Sequence, residues 1–182
     1  MKNLRKLAII ILLLSTVAFA RKRDPLTEAE TDQLRQVRLE PAKRLKLFGK
    51  FAEVRLDSID QTLNDPKQAQ QRPAKIHDLL EDFSSIVDEM NDNLDMFQTD
   101  KILAEDEQKE YRKGLKELIA QDGKLRARLR TLQHDIQTDP KLKSEAQAYI
   151  FALQDADAAL SSSLETARQY LAEKQEEKPN KK

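Results

Sequence analysis

Apolar residues recur at steps of three and four through most of this 182-residue chain. That is the period of an α-helix with one buried face. One unbroken case is 73–97, where Ile76, Leu79, Leu80, Phe83, Ile86, Val87, Met90, Leu94 and Phe97 form one stripe. A second stripe, Leu45, Leu47, Phe48, Phe51, Ala52, Leu56, Ile59 and Leu63, precedes it. A third runs Tyr111, Leu115, Leu118, Asp122, Leu125, Leu129, Leu132 and Ile136, with one carboxylate in the apolar seam. A fourth runs Ala146, Tyr149, Ile150, Leu153, Ala156, Leu160, Leu164, Ala167 and Leu171.

Punctuation between the stripes sets the element ends. Thr27-Glu28-Ala29-Glu30 fits a capping box and predicts a helix over 28–39. Pro41 interrupts it, because a proline disfavours the α conformation of the residue before it. A kink or short break is expected there, followed by helix to about residue 63. The polar run 64–72 predicts a loop, and Pro73 opens the next helix. Gln98-Thr99-Asp100 marks its end. Asp139 before Pro140 reads as a cap followed by a first-turn proline. The four legs are then 28–63, 73–97, about 103–137 and 141–175. The expected fold is all-α: an antiparallel four-helix bundle of long coiled-coil-like helices, its first leg kinked at Pro41. Short connections favour antiparallel neighbours.

The first 20 residues follow another pattern. Lys2, Arg5 and Lys6 precede an apolar run, and Ala18-Phe19-Ala20 closes it. That is the layout of a secretory signal peptide cleaved after Ala20. The run is shorter than the roughly 20 residues that span a bilayer. Retention as an uncleaved anchor is the alternative, since Arg21-Lys22-Arg23 follows the cleavage point at once. The domain reading is signal peptide 1–20, basic leader 21–26, helical domain 27–176 and a disordered charged tail 177–182. Localisation is expected to be the periplasm or the extracellular space.

Composition agrees with long helices: 35% charged, 5% aromatic, three glycines and no cysteine. Removal of residues 1–20 takes away three bases and no acids, leaving 29 bases against 32 acids. Such a balance carries no footprint for nucleic acid. Locally the charge is uneven. Segment 73–97 has seven acids and one base, 41–63 has five bases and three acids, and 111–137 has seven bases and three acids. The acidic leg lies in sequence between two basic ones. Lys124, Arg126, Arg128 and Arg130 are therefore expected to face it or water.

Candidate chemistry is sparse. The histidines are His77 and His134, and neither stands in the Glu-x-x-His motif of di-iron bundles. His77 with Glu81 is one helical pair, two ligands at most. Asn91, Asn93 and Asp95 imitate the start of a calcium loop, but Met96 and Ile102 stand where the loop needs Gly and Glu. Ser161-Ser162-Ser163 lacks a histidine in register, and small residues at a helix contact explain it better. Gly49, Gly114 and Gly123 are isolated, so there is no phosphate loop. No catalytic, cofactor-binding or metal residue is assigned. The expectation is not an enzyme. Asp122 in its seam reads either as a kink or helix break at Asp122-Gly123, or as a buried polar group paired to a base on a facing helix.

Leu26-Thr27-Glu28-Ala29-Glu30, with Leu34-Arg35 after it, resembles the Leu-Thr-x-x-Gln motif of small helical periplasmic chaperones of the Spy/CpxP type. Glu30 replaces the glutamine, and a second copy of the motif is missing. The resemblance implies a signal-bearing, all-helical binder of unfolded clients that works as a dimer through a concave cradle. The function expected from the residues is an exported non-enzymatic helical protein of the cell envelope, acting by protein–protein binding or as a structural element. The chaperone-like binder is the alternative, and an enzyme of unknown type a third. A protein partner is expected, with a homodimer possible and no nucleic acid. Arg21, Lys22 and Arg23 are candidates for contact with anionic headgroups.

Overall fold

The computed structural model describes residues 23–99 and 105–176. Residues 1–22, 100–104 and 177–182 lie outside them, and with them fall the signal-peptide reading, Arg21 and Lys22 of the leader, and the tail reading. Six helices pack against one another: α1 (Glu28–Gln36), α2 (Pro41–Asn64), α3 (Arg72–Thr99), α4 (Glu105–Thr138), α5 (Pro140–Glu145) and α6 (Ile150–Glu176). Two single 3₁₀ turns, Pro66–Gln68 and Ala146–Ala148, join α2 to α3 and α5 to α6. No strand occurs among the described residues.

The apolar stripes are the core. Ile76, Leu80, Phe83, Ile86, Val87, Met90 and Leu94 of α3 are fully covered. Every position of the α4 seam from Tyr111 to Ile136 is buried, Asp122 included. α3 packs on α2 and α6, and α4 packs on the same two helices. α3 and α4 therefore face each other across the core. Near one end they meet, where Tyr111 Oη donates to the Leu94 carbonyl at 3.3 Å and the Phe97 and Tyr111 rings stand edge-on at 6.2 Å.

This order corrects part of the charge-based expectation. Lys124 and Arg130 are exposed to water, but Arg126 and Arg128 pair with helices other than the acidic α3. Arg128 pairs with Asp57 and Asp60 of α2, and Arg126 with Asp157 of α6 at 3.2 Å. The apolar faces set the order, because each exposed ion pair is worth only about 0–1 kcal/mol. Charge then pairs whichever helices burial has made neighbours. Ala42 lies against Gly114, and Asp57 lies near Arg128, so α2 and α4 run in the same direction. A Cβ on Gly114 would come within 2.9 Å of the Ala42 Cβ, so the glycine permits the close approach.

Pro41 does not kink a continuous leg. α1 stops at Gln36, a turn spans Val37–Leu39, and α2 starts anew with Pro41 in its first turn. Glu40 takes φ −118° and ψ 83°, outside the helical region, as the residue before a proline should. The last leg is also interrupted. α5, a 3₁₀ turn and Tyr149 at φ −134° precede α6. Two cap expectations hold. Thr27 accepts from Glu30 N while Glu30 accepts from Thr27 N at 2.8 Å, a complete capping box. Asp139 accepts from Lys141 N at 2.8 Å with Pro140 next to it.

α4 runs without a break through Asp122-Gly123, which removes the helix-break reading. Nothing lies within 4 Å of a Cβ placed on Gly123. Gly123→Ala is therefore expected to stabilise the protein by about 0.5–1 kcal/mol, the helix-interior advantage of alanine. Urea unfolding checks it, and a loss of stability would mean that α4 needs a flexible point there.

Candidate functional site

An open cleft of about 730 Å³ lies between α3 and α6. One wall carries His77, Asp78, Glu81, Asp82, Ser84, Ser85 and Asp88 of α3; the other carries Phe151, Ala152 and Asp155 of α6. The spacing explains the wall. These α3 residues fall between the stripe positions Ile76, Leu80, Phe83 and Val87, so burial of the stripe turns them outward. Phe151 is off the stripe of its own helix, next to buried Ala152 and Leu153, and 74% of it is exposed.

Arg23 enters this cleft from the stretch before α1. Its Nη2 donates to Asp82 Oδ2 at 2.6 Å and to the Asp78 carbonyl at 3.3 Å, and its Nη1 lies 3.6 Å from the Asp78 carboxylate. The hydrogen bond to Asp82, reinforced by the charges of Asp82, Asp78 and Glu81, holds the guanidinium above its ordinary pKa against a small cost of burial.

Asp82 links the cleft to an internal ion pair. Arg55 of α2 lies 4.0 Å from Asp82 and grips Glu30 of α1 with both Nη atoms, at 2.8 and 2.7 Å. Arg55 Nη2 also donates to the Pro25 carbonyl at 2.6 Å. Burial opposes ionisation of Glu30, but the bonds from Arg55 and Thr27 outweigh it and hold the carboxyl below its usual range. One glutamate thus closes the capping box and fastens α1 to α2.

The metal candidates resolve differently. His77, Asp78 and Glu81 bring ligand atoms within 4.8 Å of one another on one turn of α3. Nδ1 of His77 lies 3.7 Å from Asp78 and 3.8 Å from Glu81, and both carboxylates are more than half exposed. A single exposed helical turn supplies all three, and the geometry makes a solvated charged face. Asn91, Asn93 and Asp95 stay within continuous helix. Asn93 is buried, bonds to the Glu89 carbonyl at 2.6 Å and accepts from Arg44 Nε. Asp95 accepts from Tyr170 Oη at 2.6 Å. Burial, with that bond and the charges of Asp95 and Glu173, pushes the Tyr170 phenol up to about 12.

Ser161 donates to the Asp157 carbonyl at 2.6 Å, a bond within its own helix. Ser163 is buried and donates to Asp122 Oδ2 at 2.8 Å. The partner of Asp122 is thus a hydroxyl, not the base expected for a register pair. Its Oδ1 has no hydrogen-bond partner among the described residues, and burial pushes the carboxyl up to about 7 despite the Ser163 bond. His134 of α4 is exposed, and no hydrogen bond joins it to Ser163 of α6 among the described residues.

No helix among the described residues is long and apolar enough to cross a membrane. Comparison with protein-family models, curated proteins and solved structures finds no match to this chain.

Proposed function

We propose that this chain is an exported, non-enzymatic helical protein of the cell envelope that works by binding another protein. Its four long helices act as a four-helix bundle, with α1 strapped across α2. The export reading rests on the basic, apolar and Ala-x-Ala succession of residues 1–20. The binding reading is carried by one observation: Phe151, 74% exposed, at the mouth of the acid-lined cleft between α3 and α6. A large aromatic beside a concave polar surface is what an interface anchor looks like. Of the other strongly exposed apolar residues, Val54 and Met96 stand singly, and Leu39 lines a smaller cleft with Pro41, Ala42 and Tyr111. A general chaperone needs a contiguous uncovered apolar patch, so a defined partner is favoured over unfolded clients.

A photo-reactive phenylalanine at position 151, expressed in the native envelope, tests this. Irradiation is expected to give a discrete crosslinked product with a partner protein. The same residue at position 131, on the exposed side of α4, is expected to give none. Equal yields at both positions, or none at 151, would sink the reading. A product of twice the chain's mass would identify the partner as a second copy.

A further inference from the structure

We infer that the α3/α6 cleft takes an arginine-bearing basic segment of the partner, and that the chain's own Arg23 stands in for it when the partner is away. This rests on the reading of the cleft as the binding surface. Arg23 belongs to neither wall. It reaches Asp78 from 55 positions away in sequence, so its guanidinium is a guest delivered by a separate segment. Five carboxylates line the cleft, against Arg23 and His77. An excess of negative charge therefore persists while the guest is seated, and it attracts further cations over a Debye length.

The geometry suits a guanidinium in particular. Asp82 Oδ2, the Asp78 carbonyl and the Asp78 carboxylate all approach Arg23 within 3.6 Å. A planar fork with several donors satisfies such a set, whereas an ammonium is a point charge. Phe151 on the far wall is 74% exposed and so within reach of a second cation or an apolar neighbour. Arg23 is itself easily displaced. Its side chain is 57% exposed, and an ion pair with one partner that open to water is weak. An incoming arginine that also covers Phe151 gains contacts that Arg23 does not make.

The probe is a labelled hexapeptide alternating arginine with leucine, its affinity for the purified protein read by fluorescence anisotropy at low and high salt. Versions with lysine and with glutamate in place of arginine serve as comparisons. The arginine peptide is expected to bind best, the glutamate peptide not at all, and high salt to weaken binding. Arg23→Ala is expected to bind the arginine peptide about 2–5-fold tighter, the removal of a competitor worth up to about 1 kcal/mol. Asp78→Asn with Glu81→Gln, both at exposed positions, is expected to weaken it by a larger factor while thermal unfolding stays unchanged. Affinity that is unchanged or lower in Arg23→Ala would overturn the stand-in role, and equal binding of the glutamate peptide would overturn the basic partner. If the crosslink from position 151 forms while no basic peptide binds, this inference fails and the binding reading stands; if the crosslink is absent, the binding reading itself fails.

Discussion

Glu30→Ala is expected to destabilise the protein by about 3–5 kcal/mol, the cost of leaving a buried charge without its partner. For a chain of this size that is a fall in Tm of roughly 10 °C. The side chains of Arg55 and Glu30 are only 8% and 11% exposed. Removing the carboxylate takes both charge-assisted bonds from Arg55 and the return bond to Thr27 N. Asp82, 4.0 Å from Arg55, offsets part of the loss. Glu30→Gln retains a capping-box acceptor and should fall between the two. The double variant Glu30→Leu with Arg55→Met should recover much of the stability, because replacing both members of a buried pair by apolar groups is often neutral or better. Urea unfolding of the parent, Glu30→Leu, Arg55→Met and the double variant completes a double-mutant cycle; additive losses would show that the pair does not act as one. The pH dependence has a definite sign. The folded Glu30 carboxyl is held below its ordinary pKa. Its contribution is therefore present above that ordinary value and fades as pH falls through the lower folded one.

The residues around this pair show what sequence makes visible. The capping box is local, four residues long, and reads directly from Thr27 to Glu30. The second role of Glu30 depends on Arg55, 25 positions away, and no local pattern connects them. The stripes were legible because periodicity reports burial. The order of the helices was not, because charge summed over a helix ignores which face each charge is on. Arg128 reaches Asp57 and Asp60 although α2 is a basic helix by count. The break at Tyr149 left no glycine or proline to announce it. Phe151 was readable in principle: it falls off a stripe that includes Tyr149, Ile150 and Leu153, which predicts an aromatic ring in solvent. Pro41 was recognised as an interruption, but whether a helix kinks or restarts depends on how its two halves pack. The apolar Leu34 and Leu45 on either side are both buried, and a turn between separate helices lets both reach the core.

Asp122→Leu is the second large effect, and its sign is opposite. Asp122 occupies a seam position where leucine stands before and after it, at Leu118 and Leu125. It is fully buried, one oxygen accepts from Ser163, the other has no partner among the described residues, and burial pushes the carboxyl up to about 7. Burial is the first cause of the rise, and the Ser163 bond acts against it. A folded pKa above the unfolded one means that the native state holds the proton more tightly. Asp122 is therefore compatible with the fold below about pH 4, and its cost grows as pH rises towards 7. Above that the full cost is on the order of 4 kcal/mol, about three pKa units at 1.36 kcal/mol each. Asp122→Leu and Asp122→Asn both remove the ionisation. Each is expected to stabilise the protein by about 2–4 kcal/mol at pH 8 and by much less at pH 4. Taking the difference between variant and parent at each pH cancels the other carboxylates, Glu30 among them. The hydroxyl of Ser163 has an alternative acceptor in the carbonyl four residues back along its helix, so the leucine variant leaves no obligatory orphan. A gain equal at both pH values would assign the effect to packing alone. A loss at pH 8 would show that the carboxylate is held by a favourable contact that outweighs its burial.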